Sequence, residues 1–235
     1  MKNIFFYLSP DKKFDAQHGP MAEVQIPNSL QYWKPEDIII VTNFPWECCG
    51  IKALVVGDEV HCKILSRGKS MSNKPNVIAY LIEHGLVDDV NWIHDWDAFQ
   101  IAPLDLPPLT KDIGFVDYGY KPRIQYGNVF FKPTSLDVWK QIGEAVYKYK
   151  ADEEETTNIL IDNNEGNIRD RFEKMNVTYN IGMRRIRELL AKADYPIKII
   201  HFPPYDPKYL NKFKHLMTPK LREMLYEKFA DIRKP

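Results

Sequence analysis

Two short apolar runs constrain this chain more than any other feature of its sequence. Residues 4–8 carry no charge and stop at Ser9-Pro10, and residues 38–41 are four consecutive β-branched residues followed by Thr42. Apolar runs of this length that end in polar or turn-forming residues are typical of strands buried on both faces, as in parallel sheets covered by helices. We therefore predict an α/β fold in which residues 4–8 and 37–42 are inner strands of a mostly parallel sheet.

The rest of the chain alternates apolar strand patterns with amphipathic helix patterns. Strands are predicted at residues 60–65, 90–99, 113–119, 128–132 and 197–202, with a short extended piece at 177–180. Helices are predicted at residues 75–84, 135–150, 152–162, 184–192 and 219–232, with a helical turn at 169–175. Together they predict a single domain, 1–235, with residues 203–235 as a helical C-terminal segment packed on it.

Composition excludes several classes of protein. The chain is 44% hydrophobic and 13% aromatic, which argues against general disorder, and no apolar run approaches the roughly 18 residues of a membrane span. The N-terminal apolar run is too short for a signal peptide, so we expect a cytoplasmic location. Cys48, Cys49 and Cys62 fit neither a disulfide framework nor a zinc site, and we expect free thiols.

Charge is unevenly distributed along the chain. Residues 167–235 contain 16 Lys and Arg against 8 Asp and Glu, whereas residues 1–166 contain 16 against 24, so a net of +8 balances a net of −8. The basic third interleaves cationic with aromatic side chains, which suits a polyanionic partner such as nucleic acid. A solvated amphipathic tail is the simpler interpretation, and a peripheral membrane or glycolipid contact is also open.

Two carboxylates directly follow the apolar residues 90–94. Asp95 and Asp97 leave the predicted strand two residues apart. Open α/β sheets bind ligands at the carboxyl ends of their strands, where such a pair can bridge Mg²⁺ or Mn²⁺ to a nucleotide diphosphate. A solvated turn is the alternative, because this spacing is common by chance. The position at the end of a central strand favours a metal site with both residues as ligands.

Several weaker motifs accompany this pair in a fixed order along the chain. They are the first strand with Ser9 and Pro10, then Asp117-Tyr118-Gly119-Tyr120-Lys121-Pro122 before Tyr126-Gly127-Asn128-Val129-Phe130-Phe131, then Glu154-Glu155, Tyr179-Asn180, and His201-Phe202 with Lys208. This order resembles the GT-A glycosyltransferases, and within them the glycogenin-like group, glycosyltransferase family 8. The resemblance covers nearly the whole chain.

The resemblance implies a GT-A fold, with a Rossmann-like, mostly parallel sheet flanked by helices. It also implies transfer of a sugar, with retention, from a nucleoside-diphosphate sugar, UDP-sugar first, with Mn²⁺ or Mg²⁺ as cofactor. His201 would complete the metal site, and Lys208 would contact the diphosphate. Leu8, Ser9, Asp117 and Asn128 would belong to the donor site. Two positions depart from the group: Tyr126 replaces a sugar-contacting Asn, and Pro203-Pro204 replaces a glycine-containing turn.

Other candidate residues have two interpretations each. Lys69 and Lys74 precede a predicted helix and could bind phosphate or be solvated surface charges. Glu154 or Glu155 could face the reacting sugar, as a base or as a stabiliser of positive charge, or could belong to a solvated helix N-terminus with Glu153. Without the resemblance, His201 would be a hydrogen-bonded core histidine.

The acceptor and two other function classes stay open at this point. A hydroxyl acceptor could be a glycan or a hydroxymethylated base in DNA, whose phosphates the basic third would contact. A nucleotidyltransferase also uses paired carboxylates and a metal, but no Gly-rich phosphate loop lies near the first strand. A non-catalytic nucleic-acid-binding protein would use the basic third alone.

Overall fold

The computed structural model describes residues 1–57, 59–60, 73–119 and 123–229. The strands are β1 (Lys2–Tyr7), β2 (Ile38–Thr42), β3 (Glu47–Cys48), β4 (Ile51–Lys52), β5 (Leu54–Val55), β6 (Asn91–His94), β7 (Ala98–Gln100), β8 (Ile113–Asp117), β9 (Ile124–Phe131), β10 (Phe172–Met175), β11 (Ile181–Gly182) and β12 (Ile199–His201). The α-helices are α1 (His18–Ser29), α2 (Lys74–Glu83), α3 (Leu136–Tyr149), α4 (Glu153–Asn163), α5 (Ile186–Lys192), α6 (Pro207–Phe213) and α7 (Pro219–Phe229).

A seven-stranded sheet forms the centre of the molecule, in the order β10-β8-β9-β6-β1-β2-β5. β1 pairs in parallel with β2 on one side and with β6 on the other, and β2 pairs in parallel with β5. β10 and β8 are parallel to each other, whereas β9 runs antiparallel between β8 and β6. The prediction of a mostly parallel α/β fold, with the first two apolar runs as inner strands, is confirmed.

Helices cover both faces of this sheet, because successive side chains of a strand point to opposite sides. Ile4 of β1 belongs to the apolar core that α2, α3 and α4 share with the sheet. Its neighbour Phe5 belongs to the core on the other side, which contains residues of α1, α5, α6 and α7. Both side chains are fully buried. Burial of both faces explains why the runs show no alternation of polar and apolar residues.

The C-terminal helices contribute to the second core. Leu210 and Phe213 of α6 and Leu221 and Leu225 of α7 are all buried in it, and α7 packs against α1. The predicted C-terminal helix at 219–232 corresponds to α7, with its last residues outside the described part of the chain. A single domain with residues 203–235 as an extension stays a prediction.

A second sheet has three strands in the order β11-β12-β7. It joins β7, from the middle of the chain, to two strands from the C-terminal part. β12 pairs antiparallel with β7, so that His201 lies opposite Ala98. β12 also pairs in parallel with β11, which places His201 opposite Gly182. This small sheet brings the late histidine next to the segment that contains the paired aspartates.

Local structure differs from the sequence predictions in three places, and a fourth prediction falls almost entirely outside the described residues. The strand predicted at 90–99 is broken by a turn into β6 and β7. The helical turn predicted at 169–175 is right for residues 169–171, which end a 3-10 helix, and wrong for residues 172–175, which form β10 and pair with β8 with Phe172 and Met175 buried. The extended piece predicted at 177–180 is a 3-10 turn, with the Asn176 side chain accepting the amide of Thr178. The strand predicted at 60–65 lies outside the described residues, except for its first residue, which is in a bend.

Helix α1 was not predicted from sequence, whereas α6 lies in the segment 203–235 that was predicted to be helical without bounds for this helix. α1 contains Gly19, Pro20 and Pro27, which argue against a helix when only the sequence is considered. Pro20 lies in the first turn, where its missing N–H leaves no helical hydrogen bond unmade. The helix forms because Met21, Ala22 and other apolar side chains are buried against the sheet, so tertiary packing outweighs its poor intrinsic propensity.

Candidate functional site

A tight turn between β6 and β7 carries Asp95 and Asp97 to the carboxyl end of β6. The amide of Asp95 donates to the carbonyl of Gly127 at 3.0 Å, and the amide of Ala98 donates back to the carbonyl of Asp95 at 3.1 Å. The intervening Trp96 is buried and packs in the core. The turn is therefore held by β9 on one side and by an apolar anchor on the other, which leaves both carboxylates at the surface of a pocket.

His201, at the end of β12, meets these carboxylates. Its Nε2 lies 3.0 Å from Oδ1 of Asp97 and 3.8 Å from Oδ2 of Asp95. One ligand atom from each of the three residues lies within 4.8 Å of the others. Two strand ends that are about a hundred residues apart in sequence thus converge, and the three residues predicted to form a metal site are brought together.

The charges in this cluster shift one another's pKa. Burial alone would raise the pKa of Asp97, but attraction and a hydrogen bond from His201 outweigh it, so the pKa is lowered. Burial alone would lower the pKa of His201, but Asp97 and Asp95 outweigh it, so the pKa is raised. The cluster therefore stabilises positive charge, either as a proton on His201 or as a cation between the three side chains.

The donor atoms fit a hard divalent cation. Two carboxylate oxygens and one imidazole nitrogen suit Mn²⁺ or Mg²⁺, whose ligands lie about 2 Å from the ion and hence about 3–4 Å from one another. The spacing within Asp95, Asp97 and His201 matches that range after only small adjustments. The side chains of Asp95 and Asp97 are 41% and 24% exposed, which leaves room for further ligands from a bound molecule.

Lys74 is buried beside this cluster rather than solvated. Its side chain is 1% exposed, and its Nζ donates to Oδ1 of Asp95 at 2.8 Å. The same ammonium donates to the carbonyl of Tyr126 and lies 5.7 Å from the ring centroids of both Phe6 and Tyr126. The surface-charge interpretation of Lys74 is therefore wrong. Its ammonium contacts Asp95 of the candidate metal site directly instead of pointing freely into the pocket.

A pocket of about 760 Å³ opens over these residues. The carboxyl ends of β1 and β6, the start of α1 and the start of α4 surround it. Leu8 and Ser9, which the resemblance assigns to the donor site, line this pocket. The Asn43 side chain fixes Ser9, because it accepts a hydrogen bond from the Ser9 amide at 2.9 Å and donates one to the Ser9 carbonyl at 2.8 Å. The cluster of Asp95, Asp97 and His201 therefore lies in a recess large enough for a small organic ligand.

The three glutamates at the start of α4 differ in their surroundings. Glu153 is 8% exposed and accepts the amide of Lys74 at 3.3 Å, and burial raises its pKa to about 8. Glu154 lines the pocket, where it accepts the Tyr118 hydroxyl at 2.5 Å and the Tyr126 amide at 3.3 Å. Glu155 is exposed and does not line the pocket. A uniformly solvated helix N-terminus is therefore the wrong interpretation, and of the two candidates only Glu154 faces the pocket.

Several other predicted residues lie away from the pocket lining. Oδ2 of Asp117 forms a salt bridge with Nζ of Lys174 at 2.6 Å, and its Oδ1 accepts a hydrogen bond from the amide of Gly119. Lys208 is exposed, with its Nζ over the ring of Tyr209. Asn128 is fully buried and hydrogen-bonds other side chains. The structure thus gives these three residues protein partners, and Lys69 lies outside the described residues.

Sequence inspection missed a second polar cluster in the pocket lining. The Tyr7 hydroxyl donates to Asp15 at 3.0 Å, and Nδ1 of His18 lies 2.8 Å from the same carboxylate. All three residues line the pocket. Hydrogen bonds from His18 and Gln17 outweigh the effect of burial and lower the pKa of Asp15 to about 2. No sequence pattern predicted the cluster, because it depends on the unpredicted α1.

None of the helices in the described ranges has both the length and the apolar character needed to cross a membrane. No protein-family model matches the sequence, and no curated protein matches it either.

Solved structures of glycosyltransferases share the fold. The glycosyltransferase GlyE of Streptococcus pneumoniae TIGR4 superposes with a TM-score of 0.59 at 11% identity, over 98% of this chain and 62% of that chain. This chain therefore spans less than two thirds of GlyE. An active-site mutant of LgtC gives a TM-score of 0.56 at 13% identity, over 100% of this chain and 97% of that one. A glycosyltransferase involved in glycosylation of the major capsid of PBCV-1 gives 0.55 at 11%, over 92% and 99%. The chain has the GT-A fold of these glycosyltransferases, and its Asp95, Asp97 and His201 cluster lies where β6 and β12 end.

Proposed function

We propose that this protein is a metal-dependent glycosyltransferase that moves a sugar from a nucleoside-diphosphate sugar to a hydroxyl acceptor. The observation that supports it most is the convergence of Asp95, Asp97 and His201 in the pocket of a GT-A fold. Fold alone does not determine activity. The pocket, however, has a volume of about 760 Å³, and its lining also includes the carboxylate of Glu154, which a hydrogen bond from Tyr118 holds in place.

The three residues would hold Mn²⁺ or Mg²⁺ together with the diphosphate of the donor. The bound ion would neutralise negative charge on the diphosphate leaving group. The protein's own contribution is a fixed set of ligands on two strand ends, so that little reorganisation is needed when the donor binds. Buried Lys74 adds a positive charge next to Asp95.

The donor would lie along the pocket wall formed by the end of β1. We propose that Leu8 and Ser9 contact the nucleoside, as the resemblance implies, and that UDP is the nucleotide. Asp117, Asn128 and Lys208 do not line the pocket, so a contact between any of these three residues and the donor would require a rearrangement.

Glu154 is the carboxylate that we place at the reacting sugar. Tyr118 and the amide of Tyr126 each donate to one of its oxygens, which holds the side chain at the pocket wall. A carboxylate fixed in this way can stabilise positive charge that develops on the sugar as the diphosphate departs. We propose retention of anomeric configuration, which the glycogenin-like resemblance supports and which the anomeric proton couplings of the product would test.

The acceptor would be a glycan or a polyanion such as DNA with a hydroxymethylated base. The basic third supports the second choice through exposed cations that include Arg184, Arg187, Lys208 and Lys214. A peripheral contact with a glycolipid would use the same charges.

Thermal unfolding with a panel of nucleoside diphosphates and nucleotide sugars tests the proposal, because a ligand that binds only the folded state raises the melting temperature. We expect UDP to stabilise the wild type only when Mn²⁺ is present, and Asp97→Asn to abolish that shift together with the release of sugar from UDP-sugars. Asp170→Asn, at an exposed position away from the pocket, is the matched control.

Unchanged UDP binding and sugar release in both Asp95→Asn and Asp97→Asn would overturn the proposal. A nucleotidyltransferase would instead turn over nucleoside triphosphates and ignore nucleotide sugars. A non-catalytic nucleic-acid-binding protein would bind labelled DNA equally well with and without Asp97→Asn.

A further inference from the structure

Asp15 and His18 form a carboxylate–imidazole pair in the pocket lining, at the start of α1. Nδ1 of His18 lies 2.8 Å from Oδ2 and 2.9 Å from Oδ1 of Asp15. The Tyr7 hydroxyl donates to Oδ2 at 3.0 Å, and the amides of Gln17 and His18 donate to Oδ1 at 2.9 and 2.7 Å. Both oxygens of this carboxylate therefore face donors that the fold holds in place.

Helix capping alone does not account for this pair. Capping of α1 needs only the two amides that donate to Oδ1 of Asp15. The Tyr7 hydroxyl is an additional partner, and burial, together with the hydrogen bond to Asp15, raises the pKa of Tyr7 to about 12, so this hydroxyl keeps its proton and donates. The Tyr7 ring also lies 4.7 Å from the His18 ring, measured between centroids. The end of β1 thus fixes the carboxylate and supports the imidazole.

The pair determines which nitrogen of His18 carries a lone pair. Burial would raise the pKa of Asp15, but hydrogen bonds from His18 and Gln17 outweigh it and lower the pKa to about 2, so at neutral pH this carboxylate can only accept. Nδ1 of His18 must therefore donate, and in the neutral imidazole the lone pair is on Nε2. Within the described part of the chain, Nε2 has no hydrogen-bond partner of its own. No second acceptor competes with Asp15 for the proton.

We infer that Nε2 of His18 is the base that takes the proton of the acceptor hydroxyl, with Asp15 as its positioning residue. The inference rests on the proposed function, which supplies a nucleotide-sugar donor and a hydroxyl acceptor. As the acceptor oxygen bonds to the anomeric carbon, the bond from that carbon to the diphosphate oxygen breaks, and its electron pair leaves with the diphosphate. The acceptor proton passes to Nε2, and the Asp15 carboxylate stabilises the resulting imidazolium.

The place of His18 in the pocket suits this role. In a transfer with retention, the acceptor oxygen ends on the face of the sugar from which the diphosphate departs, so the base must lie on the side of the candidate metal site. Burial would raise the pKa of Asp97, but His201 lowers it, and the charge of His18 adds to that effect. The His18 side chain is 35% exposed, so a ligand can reach it. Among the described residues that line the pocket, only His18 and His201 carry an imidazole, and His201 belongs to the metal cluster.

Three variants test the base, with water as the acceptor and a UDP-sugar that the wild type hydrolyses as the donor. His18→Gln removes the base, and Asp15→Asn keeps an oxygen for the amides of α1 but removes the charge that stabilises the imidazolium. His84→Gln is the matched control, because His84 is exposed, does not line the pocket, and contacts the carbonyl of Tyr80 through Nδ1 at 2.8 Å.

The first measurement compares turnover with donor binding. We expect His18→Gln to lower kcat for sugar release by about 100-fold or more and Asp15→Asn by about tenfold, whereas the dissociation constant of UDP with Mn²⁺ changes by no more than about threefold in either variant. His84→Gln should match the wild type in both quantities. A loss in kcat without a loss in UDP affinity is what removal of a base produces, and a displaced donor site would change both.

The second measurement uses sodium azide as the acceptor. The azide ion is a nucleophile with no proton to lose, so it needs no base. We expect azide to raise donor consumption by His18→Gln and Asp15→Asn at least several-fold, with a glycosyl azide as the product, and to leave Asp97→Asn inactive. The wild type and His84→Gln should gain little, because their reaction with water already has its base.

Three results would count against the inference. Wild-type turnover in His18→Gln, or a loss of turnover that azide does not restore, would overturn it and leave the metal-dependent donor site in place. Weaker binding of UDP to His18→Gln with unchanged kcat would also overturn it, because His18 would then contact the donor instead of the acceptor. If the wild type releases no sugar from any nucleotide sugar, the proposed function fails and the inference fails with it.

Discussion

Substitution of Gly127 by alanine, which adds a single methyl group, should displace the His201 ring. A Cβ at this position would lie 2.1 Å from Cε1 and 2.4 Å from Nδ1 of the imidazole. Carbon atoms in contact are about 3.5 Å apart, so in Gly127→Ala the ring must withdraw by about 1.4 Å. Metal ligands tolerate displacements of only about 0.2 Å. Gly127 is not among the glycines with a positive φ, so the effect of the added methyl group is steric.

We expect Gly127→Ala to lower Mn²⁺ affinity at least about tenfold and to cost about 1–3 kcal/mol of unfolding free energy through overpacking. Titration with Mn²⁺ and urea unfolding measure the two effects separately. Gly182→Ala is the control, since Gly182 pairs with His201 in the small sheet but its added Cβ would only approach Gln125 at 3.9 Å. Wild-type Mn²⁺ affinity in Gly127→Ala, or an equal loss in Gly182→Ala, would refute the steric argument.

Three further predictions concern the pocket and the fold. Glu154→Gln should reduce sugar transfer by about 100-fold or more while the dissociation constant of the donor changes little, and Tyr118→Phe should cause a smaller loss; steady-state kinetics and donor titrations measure both. Chelation with EDTA should abolish the UDP-dependent rise in melting temperature, and added Mn²⁺ should restore it; UDP binding that is indifferent to EDTA would contradict a metal-bound diphosphate. The Arg171 guanidinium holds the pKa of Asp137 below its usual range, so the pair stabilises the fold above the ordinary carboxyl pKa of about 4 and loses its effect as the pH falls through the lowered value. Arg171→Leu also removes the ion pair with Asp112, whose pKa is lowered too. Urea unfolding should therefore show this variant destabilised by about 1 kcal/mol at pH 7 and by progressively less as the pH falls below about 4, and a difference that does not depend on pH would contradict the contribution of these ion pairs.

The parts of the fold that sequence predicts well are those with strong local patterns. β1 and β2 are continuous apolar runs, and α3 has an amphipathic face and follows Ser135, a residue type that is common before helices, although its side chain makes no capping hydrogen bond here. α1 was missed because its glycine and prolines contradict the helix that packing enforces. β10 was mistaken for a helical turn because four residues, with only the first and last buried, fit either period.

The candidate site shows a similar division. Asp95 and Asp97 are recognisable because they directly follow an apolar strand, whereas only the resemblance to a family connected them with His201. The burial of Lys74 and Glu153 was not predictable, because nothing local distinguishes a solvated lysine or glutamate from one enclosed by distant strands. The buried hydrogen bonds of Asn128 with Trp92 and with Asn180 join residues 36 and 52 positions apart, which no short motif records.

Lys74 affects how the two aspartates can be compared by mutation. The Lys74 ammonium is almost fully enclosed, and Asp95 is its only carboxylate partner among the described residues. Removal of the charge on Asp95 leaves a buried cation with neutral partners, which destabilises the folded protein for reasons unrelated to a metal. The carboxylate of Asp97 faces His201, which can release its proton when that charge is lost. Asp97→Asn therefore isolates the loss of a metal ligand, whereas Asp95→Asn combines that loss with an uncompensated lysine, so a metal-binding defect confined to Asp95→Asn would indicate a salt bridge rather than a metal site.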